Sequence, residues 1–313
     1  MEKLKRSVSD FTALEKIMTD GSHQLYHKVV ACMHELCFSI LEAEKTGKSR
    51  TDIEEVIKPA REIHGRSVFV KRLQEWPRKY PGDYETIEYL CNHENKSVYG
   101  TVEYYIEEYA LNSAIAQQHR NKLQYQSGII LGTLLNNGQD QKILSVGCGG
   151  CRYIMSIEQY ISNIQFELVI NDIDNDALEL SGKRLENLKG LHVVPGNIIQ
   201  ALKRAEKLGP FDLIVTGGMF DHMSDKHVAF FLKHTLHKLL KKDGTLFFAN
   251  SAEGNPFRVW MEYLADWKLN YRSEDNITRL LAAAGFSDKA IKLNKGETGL
   301  TFLVKVKRTV PAA

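Results

Sequence analysis

The chain has 313 residues, 43% of them hydrophobic and 26% charged, with 41 basic residues against 39 acidic ones. This is ordinary for a soluble globular protein of one large or two modest domains, and so small a net charge implies no nucleic-acid partner. No apolar stretch approaches a membrane span and MEKLKRSVSDF has no signal-peptide core, so the expected location is the cytoplasm, with no membrane partner.

Residues 1–135 read as helical. HQLYHKVVACMHELCFSILEAEK (23–45) and SRTDIEEVIKPAREIHGRSVFVKRLQEW (49–76) place apolar residues three and four apart, and Ser49 or Thr51 is a plausible N-cap for the second. A helical pattern also covers 99–138, between which EWPRKYPGDYETIE (75–88) crowds aromatics, prolines and a glycine. The texture changes at Asn136-Asn137-Gly138. From there KILSV (142–146), FELVI (166–170), LHVVPG (191–196), FDLIVT (211–216) and GTLFFAN (244–250) alternate with amphipathic helices, which predicts a parallel sheet covered on both faces. KAIKLNKG (289–296) and GLTFLVKVKR (299–308) are too close together for a crossover, so the last strand is expected to run antiparallel. The expected division is a helical domain over 1–135 and an α/β, Rossmann-like domain over 136–313.

Ligands of such sheets bind beyond the carboxyl ends of the strands. After KILSV comes Gly147-Cys148-Gly149-Gly150-Cys151-Arg152, where Gly147 and Gly149 let the backbone turn sharply beside a ligand. The sixth position separates the cofactors that use such loops. A dinucleotide site wants Gly or Ala there, Arg152 fits one poorly, and no P-loop Lys-Ser/Thr follows. Cys148 and Cys151 match C-x-x-C, but no second ligand pair appears for zinc, and a turn role is favoured over a redox one. No metal is expected. The second strand ends in Asn171-Asp172-Ile173-Asp174. Asp172 is placed to accept from a ribose diol and Ile173 to pack on adenine, leaving Asp174 as a helix N-cap. Asn197 is placed to read an adenine edge or to serve as a turn residue. At the fourth strand end, a Gly218 carbonyl can hold an ammonium, with Asp221 and His222 at the mouth of the site.

VGCGGCR, INDIDNDAL, VVPGN and FDLIVTGGMFDHMSD resemble motifs of class I S-adenosylmethionine (SAM)-dependent methyltransferases. WPRKYPGDYE (76–85), QQHRNKL (117–123), NPFRVWMEYLADWKLNYRSED (255–275) and TGLTFLVKV (298–306) narrow the resemblance to a subfamily with a helical N-terminal cap. It includes 3-hydroxy fatty acid methyl ester synthases and azetidine-2-carboxylate synthases. The methyl ester branch typically reads Lys-Pro-Arg-Gly-Tyr-Pro-Gly-Asp-Tyr; here Trp76 and Lys79 replace the lysine and the glycine. The resemblance places this loop over the cofactor, where Trp76, Tyr80 and Tyr84 would present π-faces to the sulfonium and Arg78 would clamp a carboxylate. The alternative is an aromatic cluster that docks the helical region, and for Trp76 both readings stand. Arg120 is placed to reach the methionyl carboxylate or to be a solvated charge, and His119 reads as structural. Asn250, Ser251, Glu253 and Asn255 are expected to line the acceptor entrance, where SAEGNP departs from the subfamily's histidine.

The resemblance implies an enzyme of secondary metabolism that consumes SAM. The favoured reaction is cyclisation of SAM to azetidine-2-carboxylate and 5′-methylthioadenosine, with Asp221, Tyr84 or the Gly218 carbonyl holding the amine. The alternative is methyl transfer to a small carboxylate or acyl acceptor such as a 3-hydroxy fatty acid. A SAM-binding regulatory module and a NAD oxidoreductase are the remaining classes. Oligomeric state cannot be read from the chain.

Overall fold

The computed structural model describes residues 1–17, 23–136 and 140–309. Asn137 and Gly138, part of the expected break, lie outside them. The chain divides into two compact units: Met1–Gln117 with Pro256–Lys268, and Gln118–Asn255 with Leu269–Ala313.

The first unit is helical: α1 (Glu2–Thr12), α2 (His23–Lys45), α3 (Arg50–His64), α4 (Val68–Glu75), α5 (Tyr84–Asn92) and α6 (Val102–Asn112). Ser49 caps α3 by accepting from Asp52 N, so of the two candidate caps it is Ser49 that acts. A buried carboxylate organises the middle of the unit. Glu107 accepts from Ser67 Oγ (3.0 Å), Phe69 N (3.1 Å), Tyr89 Oη (2.5 Å), Lys96 N (2.7 Å) and Ser97 Oγ (2.7 Å), and these bonds hold its pKa below the usual value against the opposing effect of burial. Residues 256–268 join this unit from far along the chain. Arg50 donates to Glu262 O at 2.9 Å, Arg61 to Tyr263 O at 2.8 Å, and Tyr263 Oη to Glu44 at 2.9 Å.

The second unit is an α/β sandwich. Its strands are β1 (Gln141–Val146), β2 (Phe166–Asp172), β3 (Leu191–Pro195), β4 (Phe211–Thr216), β5 (Leu240–Ser251), β6 (Ile291–Lys295) and β7 (Thr301–Lys307), in the sheet order β3-β2-β1-β4-β5-β7-β6. Strands β1 to β5 pair in parallel, and β7 runs antiparallel to both β5 and β6, as the short C-terminal connection required. β5 is longer at both ends than GTLFFAN.

Helices cover both faces. α11 (Ile198–Leu208), α12 (Asp225–His234) and α13 (Glu274–Ala284) bury Ala201, Leu202, Phe231, Leu232, Ile277 and Leu281 against one face. α7 (Ala114–Asn136), α8 (Arg152–Met155) and α10 (Asn175–Arg184) bury Ile130, Leu134, Ile154 and Leu178 against the other, with α9 (Glu158–Ile161) beside them. Successive β5 residues divide between these cores, Leu246 and Phe248 on the first and Phe247 and Ala249 on the second. Each fully buried Leu or Phe side chain of this kind stabilises the fold by roughly 1.5–3 kcal/mol. The sheet thereby holds the carboxyl ends of β1, β2, β4 and β5 in one row.

Candidate active site

The loop after β1 turns on residues with left-handed backbone: Gly147 (φ 62°), Gly149 (φ 54°) and Cys151 (φ 50°). A Cβ at Gly147 would stand 3.6 Å from the Met219 side chain, so this loop and the turn after β4 lie against each other. Cys148 N donates to Asn171 O at 2.9 Å. Two side chains of α10 fix the loop from below, Ser181 Oγ donating to Gly149 O (2.7 Å) and Arg184 to Gly150 O (2.6 Å). These anchors were missed; their only signal in the sequence is SGKR, which by itself reads as a helix end. Cys148 and Cys151 are both buried, and burial pushes the Cys148 thiol up. Among the described residues no three His, Cys, Asp or Glu side chains gather as a metal site.

Asp172 is joined directly to this loop. Gly149 N donates to its Oδ2 (2.8 Å) and Asp174 N to its Oδ1 (3.0 Å). Burial raises its pKa, and backbone N–H donors of Asp174, Gly149 and Ile173 partly offset that. A carboxylate accepts about four hydrogen bonds, so these contacts leave capacity for a ligand hydroxyl. Ile173, next in the chain, is 64% exposed. Asp174 caps α10, accepting from Asp176 N and Ala177 N, which is the cap expected from NDID. Asn171 Nδ2 donates to Gly196 O at 3.0 Å and so ties the end of β3 to this row. Asn197, beside it, caps α11 in a capping box with Gln200. Its Oδ1 takes the N–H groups of Ile199 and Gln200, both at 3.1 Å, which is the turn-residue behaviour left open above.

The turn after β4 departs from expectation. Gly217 O accepts from Ala249 N (3.2 Å) and Gly218 O from Asp221 N (3.1 Å). Asp221, expected at the mouth, is instead 2% exposed. Its Oδ2 accepts from Lys122 Nζ at 2.8 Å and its Oδ1 from Ser251 N at 2.6 Å, while its carbonyl accepts from Asn270 N at 2.7 Å. The physical reason is charge pairing. Lys122 on α7 is itself buried, and a buried cation requires an anion. Asn250 is likewise interior rather than at an entrance. Arg272 donates to its Oδ1 (2.5 Å), and its Nδ2 donates to Ser251 O and Asn270 O.

His222 closes the same turn and keeps an exposed ring although it sits deep among protein atoms. That crowding is the main influence lowering its pKa; Lys122 adds to the effect and Asp221 opposes it. His119 is buried on α7 and its pKa is lowered further, by burial first and then by the charges of Lys122, His222 and Arg120. Arg120 itself is half-buried.

Trp76, Arg78, Tyr80 and Tyr84 all belong to the first unit. Trp76 ends α4 in left-handed backbone (φ 45°), and its Nε1 donates to Asp266 O at 3.0 Å. Lys79 (φ 68°) and Gly82 (φ 69°) complete the bend. Gly82 is also required sterically, because a Cβ there would stand 2.7 Å from the Trp267 ring. Arg78, expected to clamp a ligand carboxylate, is paired with that of Glu85 at 3.0 Å, and it donates to Tyr84 Oη at 3.0 Å while lying 4.7 Å over the Tyr84 ring. Tyr80 is half-buried in the same bend. The structure therefore groups Gly147, Gly149, Asp172 and Ile173 around one loop, Gly218 and Asp221 in the adjoining turn, and the four aromatic-loop residues in the other unit.

Residues 144–246 match a methyltransferase-domain family. No curated protein matches the chain. Among solved structures, a possible exported protein from Bordetella parapertussis is 13% identical, with 99% of this chain and 96% of that one covered, at a TM-score of 0.53. The CurJ carbon methyltransferase is 11% identical, with 99% and 92% covered, at a TM-score of 0.50. At such identities the likeness is one of fold, and that fold is the Rossmann-like one of class I SAM-dependent methyltransferases. No helix among the described residues is long and apolar enough to cross a membrane.

Proposed function

We propose that this protein, whose residues 144–246 match a methyltransferase domain, consumes SAM by closing it on itself, giving azetidine-2-carboxylate and 5′-methylthioadenosine. The observation that carries the reading is the state of the strand ends beside the glycine loop. Asn250, expected at the acceptor entrance, is tied to Arg272, Ser251 and Asn270, whereas Asp221, expected to hold the amine, is taken up by Lys122 and Ser251 and leaves that role to another group. The cofactor loop and Asp172, in contrast, keep hydrogen-bonding capacity for a nucleoside. Such an arrangement suits a reaction whose only substrate is SAM.

In this reading Gly147 and Gly149 pass the backbone close to the ligand, Asp172 accepts the ribose hydroxyls, and Ile173 covers adenine. Trp76, Tyr80 and Tyr84 keep the role that the resemblance gives them, as π-faces for a sulfonium worth about 0.5–2 kcal/mol each. The α-amine attacks the γ-carbon, the C–S bond breaks, and its electron pair stays on sulfur. Holding the methionyl tail bent is the main contribution, since orientation alone lowers such barriers by several kcal/mol. The alternative is methyl transfer to a carboxylate, which the same fold supports equally.

Proton balance separates the two. Cyclisation of the ammonium form releases one proton per turnover, whereas methylating a carboxylate releases none. Purified protein given SAM alone is expected to form methylthioadenosine and the four-membered amino acid by mass spectrometry, with matching acid release. Intact SAM under those conditions, followed by S-adenosylhomocysteine on adding hydroxy fatty acids, would select methyl transfer instead.

A further inference from the structure

We infer that His222 is the catalytic base that takes the proton from the substrate's α-ammonium, an assignment that rests on the cyclisation reading. Three observations carry it. The turn that ends in His222 begins at Met219, which lies against Gly147 of the cofactor loop. The turn is rigidly held: Lys122 and Ser251 N bind the Asp221 carboxylate, Asn270 N binds the Asp221 carbonyl, and Arg272 donates to Phe220 O (2.8 Å) and Met223 O (2.6 Å). Within this framework His222 stays exposed while Phe220 and Asp221 before it are buried.

The competing groups are excluded by their own contacts. Asp221 is 2% exposed and paired with the Lys122 ammonium, Lys122 is the buried cation of that pair, and His119 is buried. The charged and titratable groups around the turn are Asp221 on the turn itself, Lys122 and His119 from α7, and Arg272, which is also paired with Asp225. Protein crowding and Lys122 lower the pKa of His222, so near neutral pH the ring is unprotonated and able to accept. In the step, an N–H bond of the ammonium breaks and its proton moves to an imidazole nitrogen. The freed pair attacks the γ-carbon as methylthioadenosine leaves. The imidazolium then returns its proton to water, which accounts for the one proton released overall.

The test is the pH profile of methylthioadenosine formation from saturating SAM, for the full-length protein and for His222→Gln. His227→Gln serves as a control, since His227 is bonded to Ser224 outside this turn. Wild type is expected to gain kcat through an apparent pKa below about 6.5. His222→Gln is expected to lose roughly a hundredfold in kcat and the acidic limb, with the SAM Kd held within about threefold. Free imidazole should restore His222→Gly in part. A His222→Gln enzyme that keeps kcat and the limb would overturn the assignment and leave cyclisation standing, and a parallel loss of SAM binding would overturn it in favour of a structural role. Should the variants fail to fold, a flat wild-type profile below neutrality would also overturn it. Absence of methylthioadenosine from wild type would overturn both the base and the cyclisation reading.

Discussion

The carboxyl ends of β1 and β2 and those of β4 and β5 lie in one sheet, yet they treat their polar groups in opposite ways. Asp172 is held by backbone N–H groups, with no cation among those contacts, and this leaves a lone pair over. Asp221 meets the ammonium of Lys122 with one oxygen and a backbone N–H with the other, and Asn250 is crossed by Arg272. The first end keeps hydrogen-bonding capacity to spare. The second is built to stay where it is, and it presents His222 from a fixed turn. A carboxylate in a sequence therefore says little about ligand binding until its cation is located.

The most severe way to break this contrast is to remove the cation. Lys122→Met leaves Asp221 as a buried unpaired charge and is expected to cost about 3–5 kcal/mol in denaturant unfolding. Adding Asp221→Leu should recover part of that loss, and a double variant less stable than the single one would show that Lys122 acts through something other than the pair. A smaller effect is expected at the other end. Asp172→Asn puts an NH2 group where an N–H now donates and removes the charge facing a ribose diol, so SAM affinity should fall by about 1.5–3 kcal/mol, measured by calorimetry, with little change in fold. Unchanged affinity would remove Asp172 from the binding site.

The subtlest expectation concerns pH. Because burial raises the folded-state pKa of Asp172, its contribution to stability is fully present below the unfolded pKa and is lost as pH rises through the folded one. Ligand binding has the opposite sign, since the hydroxyls of ribose favour the ionised carboxylate. SAM affinity should therefore weaken as pH falls through this raised pKa, above the usual carboxylate range. The Asp172→Asn variant should not have that limb. An identical pH dependence in both proteins would assign it to another group.

Much of the second unit could be read from the sequence, because its signals are local. Short apolar runs alternating with amphipathic helices gave the parallel strands, and the brief connection between the last two gave the antiparallel pair. NDID yielded the cap at Asp174, and Ser49 the cap of α3. What escaped was long-range pairing. Lys122 and Asp221 sit on elements distant in sequence, and a lysine among the charges of QQHRNKL reads as solvated until the helix is seen to bury it. The same holds for Glu107, which lies among the polar residues of α6 yet gathers donors from three other stretches. Asn197 was ambiguous for another reason: one amide oxygen can serve a cap or a ligand, and only geometry tells which.

The composition of the helical unit has a consequence for how the protein is made. Pro256–Lys268 belongs to it, although the preceding and following residues belong to the α/β unit. Trp260, Tyr263, Leu264 and Trp267 are buried there, and Arg50, Arg61 and Glu44 find partners in this segment. During synthesis the first helices emerge early, but they must wait with part of their surface uncovered until Lys268 has left the ribosome. By then β1 to β5 have been made. The domain that appears first is thus completed late: a chain cut before residue 256 lacks part of both units, and one begun at residue 118 carries Pro256–Lys268 without the helices it packs on.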